Sequence, residues 1–288
     1  MASVLVTGAS KGIGMAIALV LGRAGHTVYA TMRNPSAAPE LAQTAAKEGL
    51  PIHVSAMDVD SDASVADGIK AITDANGPID VLVNNAGIEG RGAIEELDLS
   101  VFRSVMETNF FGALRCIKAV LPEMRARRSG SIVNITSLAG RVAPSPLSPY
   151  AASKHALEAL SEVLAQEAKA FNIHVAIVEP GVIDTALPHR IGAPSAQSPY
   201  PQTRRMAAMF ASSLENPNPP HLVGDKVREI IESGTWQLRH TVGPDAEPFL
   251  QWRASMTDEQ WVDWGAADDD TWYDSVERDF GVNLRTRT

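Results

Sequence analysis

The sequence that decides the fold is Thr7-Gly8-Ala9-Ser10-Lys11-Gly12-Ile13-Gly14, which joins the apolar run Ser3–Thr7 to a second apolar stretch with helical spacing. Glycines allow a tight turn and a close approach of the backbone to a pyrophosphate, which then binds the free N–H groups at the start of a helix. Taken alone, a Gly-rich turn also fits an ordinary connection between a strand and a helix. Its position after a strand and before a helix favours a nucleotide phosphate loop, although the spacing is not the G-x-G-x-x-G of other dinucleotide folds.

Outward from this loop, short β-branched runs alternate with longer helical patterns. We predict strands at Ser3–Thr7, Thr27–Thr31, Ile52–Ala56, Val81–Asn84, Ser131–Ser137 and His174–Glu179, with a weaker one at Trp236–Val242. We predict helices at Gly12–Arg23, Pro39–Glu48, Ser61–Ala75, Ser100–Arg127, Pro149–Ala170 and Gly224–Ser233. Several strands are apolar throughout, which is typical of strands buried on both faces. The pattern predicts an α/β fold of the Rossmann type, a doubly wound parallel sheet of about seven strands with helices on both faces.

Two stretches depart from this alternation. Residues 186–220 are rich in Pro, Ser and Asn around a helix-like piece at Thr203–Ser213, and residues 245–288 are acidic and rich in tryptophan. We expect a single domain over residues 1–288, with the first stretch as a lid and the second as a C-terminal extension. The late tryptophans either close a pocket over an apolar substrate, bury an interface or pack against the body of the chain.

Composition excludes several classes of function. The net charge of −9 argues against nucleic-acid binding, which needs a basic face. The single cysteine, Cys116, permits no intrachain disulfide and fits a reducing compartment. No apolar run approaches the ~18 residues of a membrane span, and no His, Cys or carboxylate cluster has metal-ligand spacing. We therefore expect a cytoplasmic protein without a metal site, a membrane span or a nucleic-acid partner.

The end of the second predicted strand indicates which nicotinamide cofactor the loop would hold. NAD-binding sites carry an Asp or Glu about 20 residues after the glycines, where it binds the ribose 2′-hydroxyl. No Asp or Glu lies between Gly14 and Glu40, whereas Arg33 follows the strand and Lys11 lies inside the glycine loop. Because arginine can bind a phosphate with two hydrogen bonds, we predict NADP(H) rather than NAD(H). The alternative is that Arg33 is only a solvated residue.

Tyr150 and Lys154 are candidate catalytic residues. They are four residues apart in a predicted helix, so both side chains project from one face. Ser137 ends the preceding predicted strand, at the sheet edge where carboxyl ends of parallel strands form a ligand crevice. A Y-x-x-x-K pair alone is common on helix surfaces, so its meaning depends on the residues that accompany it.

Those residues form an ordered series of short motifs. They are Thr7-Gly-x-x-x-Gly-x-Gly14, Asn84-Asn-Ala-Gly87, Asn109, Ser137, Tyr150-x-x-x-Lys154 and Pro180-Gly-x-x-x-Thr185. In this order they resemble the single-domain branch of the short-chain dehydrogenase/reductase family, over roughly residues 3–185. The stretch Tyr29–Asn34 and the long tail are similar to hydroxysteroid and retinol dehydrogenases of that family.

The resemblance implies a role for each matching residue. Tyr150 would be the general acid/base, Lys154 its electrostatic partner, Ser137 a hydrogen-bond partner of the substrate oxygen and Asn109 the holder of a proton-relay water. Asp58 and Val59 would contact the adenine, Asn85 would contact the cofactor after the fourth strand, and Ile183 and Thr185 would bind the carboxamide. The predicted cofactor contacts are Gly8, Ser10, Lys11, Gly12, Ile13, Gly14, Arg33, Asp58, Val59, Asn85, Tyr150, Lys154, Ile183 and Thr185.

The proposed acid/base role requires a particular protonation balance. A free tyrosine has a pKa of ~10, so ionising it near neutrality costs about 4 kcal/mol. An ammonium ~4 Å away in a partly screened site supplies about that much. We therefore expect Lys154 to lower the pKa of Tyr150 towards neutrality, so that the phenol exchanges a proton while hydride moves.

The leading hypothesis is an NADP(H)-dependent carbonyl reductase or, in reverse, an alcohol dehydrogenase. One alternative is an epimerase or dehydratase, whose relatives generally have another glycine spacing and a larger C-terminal domain. Another is an NADP-binding redox sensor without turnover, a class that tends to lose the catalytic Tyr or Lys. Several apolar residues favour a hydrophobic substrate: Leu138, Val142, Leu147, Leu187, Met206 and Met209. The resemblance also implies a homodimer or homotetramer.

Overall fold

The structure, a computed structural model, describes residues 1–191 and 198–285. Within these residues one parallel sheet contains β1 (Ser3–Thr7), β2 (Thr27–Met32), β3 (Ile52–Ala56), β4 (Val81–Asn84), β5 (Gly130–Ile135), β6 (Ile173–Pro180) and β7 (Arg239–Val242). The strand order is β3-β2-β1-β4-β5-β6-β7, and every neighbouring pair is parallel. The predicted Rossmann-type sheet is therefore confirmed.

Helices connect the strands and cover both faces of the sheet. They are α1 (Gly12–Arg23), α2 (Glu40–Glu48), α3 (Asp62–Asn76), α4 (Leu99–Met106), α5 (Gly112–Arg127), α6 (Ser148–Lys169), α7 (Ala186–Ile191), α8 (Pro201–Ser213), α9 (His221–Ser233), α10 (Ala246–Ala254), α11 (Asp258–Ala266) and α12 (Asp269–Phe280).

The two faces of β1 show how the strands are buried. Val4 and Val6 point to a core shared with α1 and α9, whereas Leu5 points to a core shared with α3 and α5. All three side chains are completely buried. Because successive side chains of a strand face opposite sides, a strand with helices on both sides must be apolar at every position.

The strand order changes direction at β1, because β2 and β3 lie on one side of it and β4 to β7 lie on the other. This strand pairs with β2 on one side and with β4 on the other. The connections that leave β1 and β4 diverge at their carboxyl ends and open a crevice there, which is where ligands bind in folds of this type. The glycine loop, Asn85 and Ser137 all follow strands at this edge.

The long predicted helix Ser100–Arg127 is interrupted. It consists of α4, a π-helical turn at Glu107–Phe111 and α5. A π turn inserts one residue into the helical repeat, and such turns frequently occur at functional sites. Asn109 lies within this turn, so the interruption falls at a predicted site residue.

Two predicted strands are shorter than expected. β5 ends at Ile135, so Ser137 lies beyond the strand and begins the short helical turn Leu138–Gly140. β7 begins at Arg239 rather than at Trp236, whose ring stacks on His174 at a centroid distance of 3.8 Å. Neither change moves a predicted residue away from the carboxyl edge of the sheet.

The C-terminal extension is helical and packs against α8. Trp272, Tyr273, Val276 and Leu284 form a small buried cluster with Ala208. Of the predicted lid 186–220, the structure places α7 and α8; residues 192–197 lie outside the described residues, as do residues 286–288 of the extension. The extension and the lid helix α8 therefore share one apolar core.

Candidate active site

The glycine loop packs tightly against the loop that follows β4. Gly8 has a φ of +67°, and a Cβ there would lie 2.7 Å from the Cα of Ala86. A Cβ on Gly14 would lie 2.4 Å from Nδ2 of Asn85. That amide donates to the carbonyl oxygens of Thr7, at 3.0 Å, and Gly8, at 3.1 Å. Asn85 thus braces the glycine loop, and its direct contact with a cofactor stays a prediction.

The start of α1 fits an anionic ligand. The N-cap residue is Lys11, whose ammonium has no acceptor, so no side chain caps the first N–H groups of the helix. No acidic residue lies in the first turn. The N–H of Ala9 donates to the carbonyl of Thr31 at 3.0 Å, which brings the loop beside the end of β2. Lys11 and Arg33 are exposed there, and neither side chain has a hydrogen bond or ion pair within residues 1–191 and 198–285. Free helical N–H groups and two available cations suit a phosphate-bearing dinucleotide.

Asp58 and Val59 follow β3 at the same edge of the sheet. The N–H of Asp58 donates to Oγ of Ser64 at 2.9 Å, and its carboxylate accepts from the N–H of Asp60 at 3.1 Å. Val59 is buried, and its Cγ2 lies 2.8 Å from where a Cβ on Gly112 would stand. The structure thus holds this turn firmly between α3 and α5, and the predicted adenine contact stays a prediction.

Ser137 and Tyr150 meet on one wall of a pocket. Both line the same cavity, and a hydrogen bond from Ser137 opposes the main effect on the pKa of Tyr150. That main effect is burial, which raises the pKa of Tyr150 to about 12. Oγ of Ser137 also accepts from the N–H of Ala139 at 3.1 Å, which fixes the hydroxyl at the head of the turn after β5.

Lys154 lies behind Tyr150 in the interior. Its Nζ donates to the carbonyl oxygen of Ile135 at 2.8 Å and stands 5.6 Å from the centre of the Tyr150 ring. Burial lowers the pKa of Lys154 to about 8, against the attraction of Glu158. The expectation that Lys154 brings the pKa of Tyr150 towards neutrality is not met in this arrangement, because burial of the phenol has the largest effect on its pKa and raises it.

Asn109 joins three elements around the site. Its Oδ1 accepts from the N–H of Ile88 at 2.8 Å, and its Nδ2 donates to the carbonyl of Ile88 and to Oγ of Ser153, both at 2.9 Å. Oγ of Ser153 donates in turn to the carbonyl of Tyr150 at 2.7 Å. The side chain thus ties the loop after β4 to α6, and its role as the holder of a relay water stays a prediction.

Sequence reasoning missed two buried carboxylates near Lys154 and the two partly exposed arginines that pair with them. Arg239 of β7 contacts Glu158 at 3.0 Å and Glu179 at 3.3 Å, and Arg141 contacts Glu179 at 3.2 Å. Glu158 and Glu179 are almost completely buried. The position of Glu158, four residues after Lys154, indicates a shared helix face; the pairing of Glu179 with Arg239 depends on the alignment of β6 and β7, which sequence does not reveal.

Glu89 is a second charged residue that sequence reasoning missed. It follows Ile88 in the loop after β4, and its carboxylate contacts Nε of Arg190 on α7 at 2.5 Å. The other carboxylate oxygen is buried without a hydrogen-bond partner among the described residues. Its negative charge contributes to raising the pKa of Tyr150. The lid helix α7 is therefore attached close to the phenol through one ion pair.

The segment Pro180–Thr185 contributes to the same pocket as Ser137 and Tyr150. Ile183 is buried, and the methyl carbon of Thr185 lies 3.2 Å from where a Cβ on Gly12 would stand. The segment that follows β6 therefore contacts the glycine loop that follows β1. This contact brings the predicted carboxamide segment beside the predicted pyrophosphate loop.

A large apolar cavity lies above Ser137 and Tyr150. Its volume is about 680 Å³, within the range typical of small-molecule sites. The predicted apolar residues Leu138, Val142, Leu147, Leu187, Met206 and Met209 all line it. Three tryptophans of the extension also line it: Trp261, Trp264 and Trp272. The late tryptophans therefore line the pocket and also pack against the body of the chain, which are two of the three possibilities that the sequence left open.

Within the described ranges no helix combines the length and apolar character needed to cross a bilayer. In those same residues no grouping of His, Cys, Asp and Glu could hold a metal ion. Cys116 is buried on α5, and burial raises the pKa of its thiol to about 12.

Comparisons with known proteins give consistent results. A family model described as short chain dehydrogenase matches residues 2–195. Retinol dehydrogenase 8 from Bos taurus is 41% identical over 267 residues, which cover 88% of this chain and 85% of that protein. The crystal structure of a short-chain dehydrogenase from Streptomyces avermitilis is 34% identical, with a TM-score of 0.78, over 92% of this chain and 96% of the other. A variant of actinorhodin polyketide ketoreductase crystallised with NADPH is 29% identical, with a TM-score of 0.75, over 85% of this chain and 97% of the other.

Proposed function

The chain belongs to the short-chain dehydrogenase/reductase family of oxidoreductases, and from this premise we propose that it interconverts a carbonyl and a secondary alcohol with NADP(H). The observation that carries the proposal is the meeting of Ser137 and Tyr150 on the wall of an apolar cavity, with Lys154 directly behind them. These groups come from two elements that follow β5. They lie at the crevice that the fold provides for a ligand.

The nicotinamide supplies or accepts the hydride, and the protein handles the proton. Because burial raises the pKa of Tyr150 to about 12, the phenol keeps its proton at neutral pH. A protonated phenol can donate to a substrate carbonyl oxygen, which gains negative charge as hydride arrives. The hydroxyl of Ser137 would hold the same oxygen. The phenol is thus in the form that donates a proton during carbonyl reduction.

Lys154 would act from behind the phenol. Its pKa of about 8 leaves it mostly charged at pH 7, so its ammonium opposes the energetic cost of a phenolate. The carbonyl of Ile135 holds Nζ in place. The lysine would also contact the nicotinamide ribose, as the family resemblance implies.

The preference for NADP(H) over NAD(H) rests on Lys11 and Arg33. Both are exposed beside the glycine loop, and no carboxylate within residues 1–191 and 198–285 pairs with either side chain. A 2′-phosphate would gain two charge-assisted contacts there. The ketoreductase structure crystallised with NADPH is in line with this proposal.

The substrate would be an apolar small molecule. The cavity lining is mostly apolar, and Ser137 and Tyr150 are among its polar residues. Such a lining gains free energy from apolar area removed from water. The similarity to retinol dehydrogenase 8, by its name an enzyme for an apolar alcohol, supports this substrate class. A homodimer or homotetramer and a cytoplasmic location stay predictions from the sequence.

The decisive experiment compares the wild type with Tyr150→Phe. We expect wild-type protein to oxidise NADPH, followed at 340 nm, with apolar ketones or aldehydes. The Phe variant should bind NADPH with unchanged affinity but lose turnover by a factor of about 100 or more, since proton transfer contributes about that much. A fully active Phe variant would refute the mechanism, and tight NADPH binding without turnover on any carbonyl would favour a redox sensor.

A further inference from the structure

The predicted carboxamide segment is held in place by residues from outside the family match. The N–H of Val182 donates to Oδ2 of Asp245 at 2.7 Å. Nδ2 of Asn218 donates to Oδ1 of Asp245 and to the carbonyl oxygen of Val182, each at 3.0 Å. Asp245 and Asn218 both lie beyond residue 195, where the family model ends. The peptide groups on both sides of Val182 are therefore bonded to the C-terminal part of the chain.

The surrounding backbone leaves room for the Asp245 carboxylate. A Cβ on Gly181 would lie 2.3 Å from Oδ2, and a Cβ on Gly243, which has a φ of +104°, would lie 2.6 Å from Oδ1. Two glycines therefore permit the close approach of one side chain. Asp245 is also the N-cap residue of α10, where an aspartate normally bonds the N–H groups of its own helix. Here it makes no such bond, so the carboxylate serves Val182 and Asn218 instead.

Asn218 also orients the next peptide group. Its carbonyl accepts from the N–H of Asp184 at 2.8 Å, and it forms an isolated parallel bridge with Ile183. In a parallel bridge the residues before and after the bridged position make the hydrogen bonds, so the N–H and C=O of Ile183 point away from Asn218. Neither group has a hydrogen-bond partner in the part of the chain that the structure describes. One donor and one acceptor of Ile183 are thus held side by side.

A carboxamide carries one acceptor oxygen and one NH₂ donor, which match a backbone N–H and C=O. We propose that Asp245 and Asn218 are positioning residues that hold the Val182–Asp184 backbone so that the peptide groups of Ile183 bind the carboxamide of the nicotinamide. The proposal depends on the nicotinamide function proposed above. It adds that the start of the C-terminal extension, and not only the matched domain, sets the orientation of the reacting ring.

Two variants separate the contacts. Asn218→Ala removes the donor to Val182 and Asp245 but leaves the backbone bridge. In Asp245→Asn the amide oxygen can still accept from the Val182 N–H. The new NH₂ group then faces Nδ2 of Asn218, so two donors meet and that hydrogen bond is lost. Asp263→Asn is the matched control, because it removes one negative charge from an exposed position of the same extension.

The measurement uses NADPH and an NADPH analogue in which an acetyl group replaces the carboxamide and so lacks the NH₂ donor. We expect Asn218→Ala and Asp245→Asn to lose kcat roughly tenfold with NADPH and much less with the analogue, since one or two hydrogen bonds are weakened. The ratio of kcat with NADPH to kcat with the analogue should therefore be smaller in both variants than in the wild type. Without any turnover, bound NADPH should show altered nicotinamide fluorescence in the variants, whereas the affinity for 2′,5′-ADP should stay the same.

An equal loss with both cofactors, or an unchanged ratio, would overturn the proposal. A parallel loss of 2′,5′-ADP affinity or of melting temperature would also overturn it, because that result describes a general disturbance. Asp263→Asn must behave as wild type. If wild-type protein binds NADPH but reduces no carbonyl, the proposed reaction is wrong, while the fluorescence and 2′,5′-ADP comparison still decides the positioning role. If wild-type protein does not bind NADPH, both proposals are wrong.

Discussion

The pKa of Tyr150 is set by burial, one hydrogen bond and one nearby charge. Burial raises its pKa, the hydrogen bond from Ser137 lowers it, and the negative charge of Glu89 raises it further. Glu89 is itself paired with Arg190 on the lid helix α7. The electrostatic effect on the pKa of Tyr150 therefore depends on both Glu89 and Arg190.

Substitution of this pair should move the pH profile in opposite directions. Glu89→Gln removes a negative charge near Tyr150, so the pKa of the phenol should fall. Alcohol oxidation, which needs the phenolate, should then begin at lower pH. Arg190→Ala leaves the Glu89 charge unbalanced, so the same limb of the profile should move to higher pH. Profiles of kcat/KM for both variants test this, and shifts of the same sign would contradict it.

The preference for NADPH over NADH is also predicted to depend on single residues. Arg33→Ala should weaken NADPH binding by about 1.5–3 kcal/mol, the value of a charged hydrogen bond, which corresponds to roughly a 10- to 150-fold higher Kd. Lys11→Ala should have a smaller effect of the same sign. Neither change should affect NADH, which has no 2′-phosphate. Titration of both cofactors by fluorescence measures this; a wild type that binds NAD(H) as tightly as NADP(H) would contradict the cofactor assignment.

At the scale of elements, the π turn between α4 and α5 and the first turns of α6 are joined through Asn109. Helix α6 places Tyr150, Lys154 and Glu158 at intervals of four residues, so one face carries the phenol, the ammonium and a buried carboxylate. Asn109 holds this helix to the loop after β4 by three hydrogen bonds. The π turn thus positions the catalytic helix relative to the neighbouring loop.

Asn109→Ala should lower the free energy of unfolding and slow turnover. The substitution leaves the N–H and carbonyl of the partly buried Ile88 and the buried Oγ of Ser153 without their side-chain partner, so the free energy of unfolding should fall by about 2–4 kcal/mol. Lys118→Ala, at an exposed position of α5, should change it by less than about 0.5 kcal/mol. Urea unfolding of both variants measures the difference. Equal stabilities would show that Asn109 does not hold these elements together.

At the scale of the whole molecule, the lid and the extension form one cover over the cavity. Arg205 of α8 is buried, contacts Asp269 of α12 at 2.8 Å and lies 5.2 Å from the centre of the Trp272 ring. Trp264 donates from its indole nitrogen to Oγ of Ser275 at 2.9 Å. These contacts join α8, α11 and α12, so the cover is expected to respond to a ligand as a unit.

Tryptophan fluorescence should report an apolar ligand in the cavity. Trp261, Trp264 and Trp272 line it, whereas Trp236 stacks on His174 at the edge of the sheet. Binding of an apolar ketone should change the emission of the wild type and of Trp236→Phe equally. Trp264→Phe should lose a large part of the change. A response that disappears with Trp236→Phe would place the apolar site elsewhere.

Local pattern was enough to predict much of the molecule. The alternation of apolar strands and amphipathic helices predicted the sheet, because each strand buried on both faces must be apolar at successive positions. The order of the motifs around Gly8, Ser137 and Tyr150 indicated the family. Spacing of four residues placed Tyr150 and Lys154 on one helix face, as the structure shows.

The sequence by itself therefore determined the order of elements and the residues at the carboxyl edge of the sheet, since both follow from short-range periodicity. Only the tertiary structure decided the pKa of Tyr150, the pairing of Glu179 with Arg239 and the attachment of Val182 to Asp245, 63 residues further along the chain. Burial and contacts between distant segments produce these properties. No local pattern encodes them, because they depend on which elements pack together.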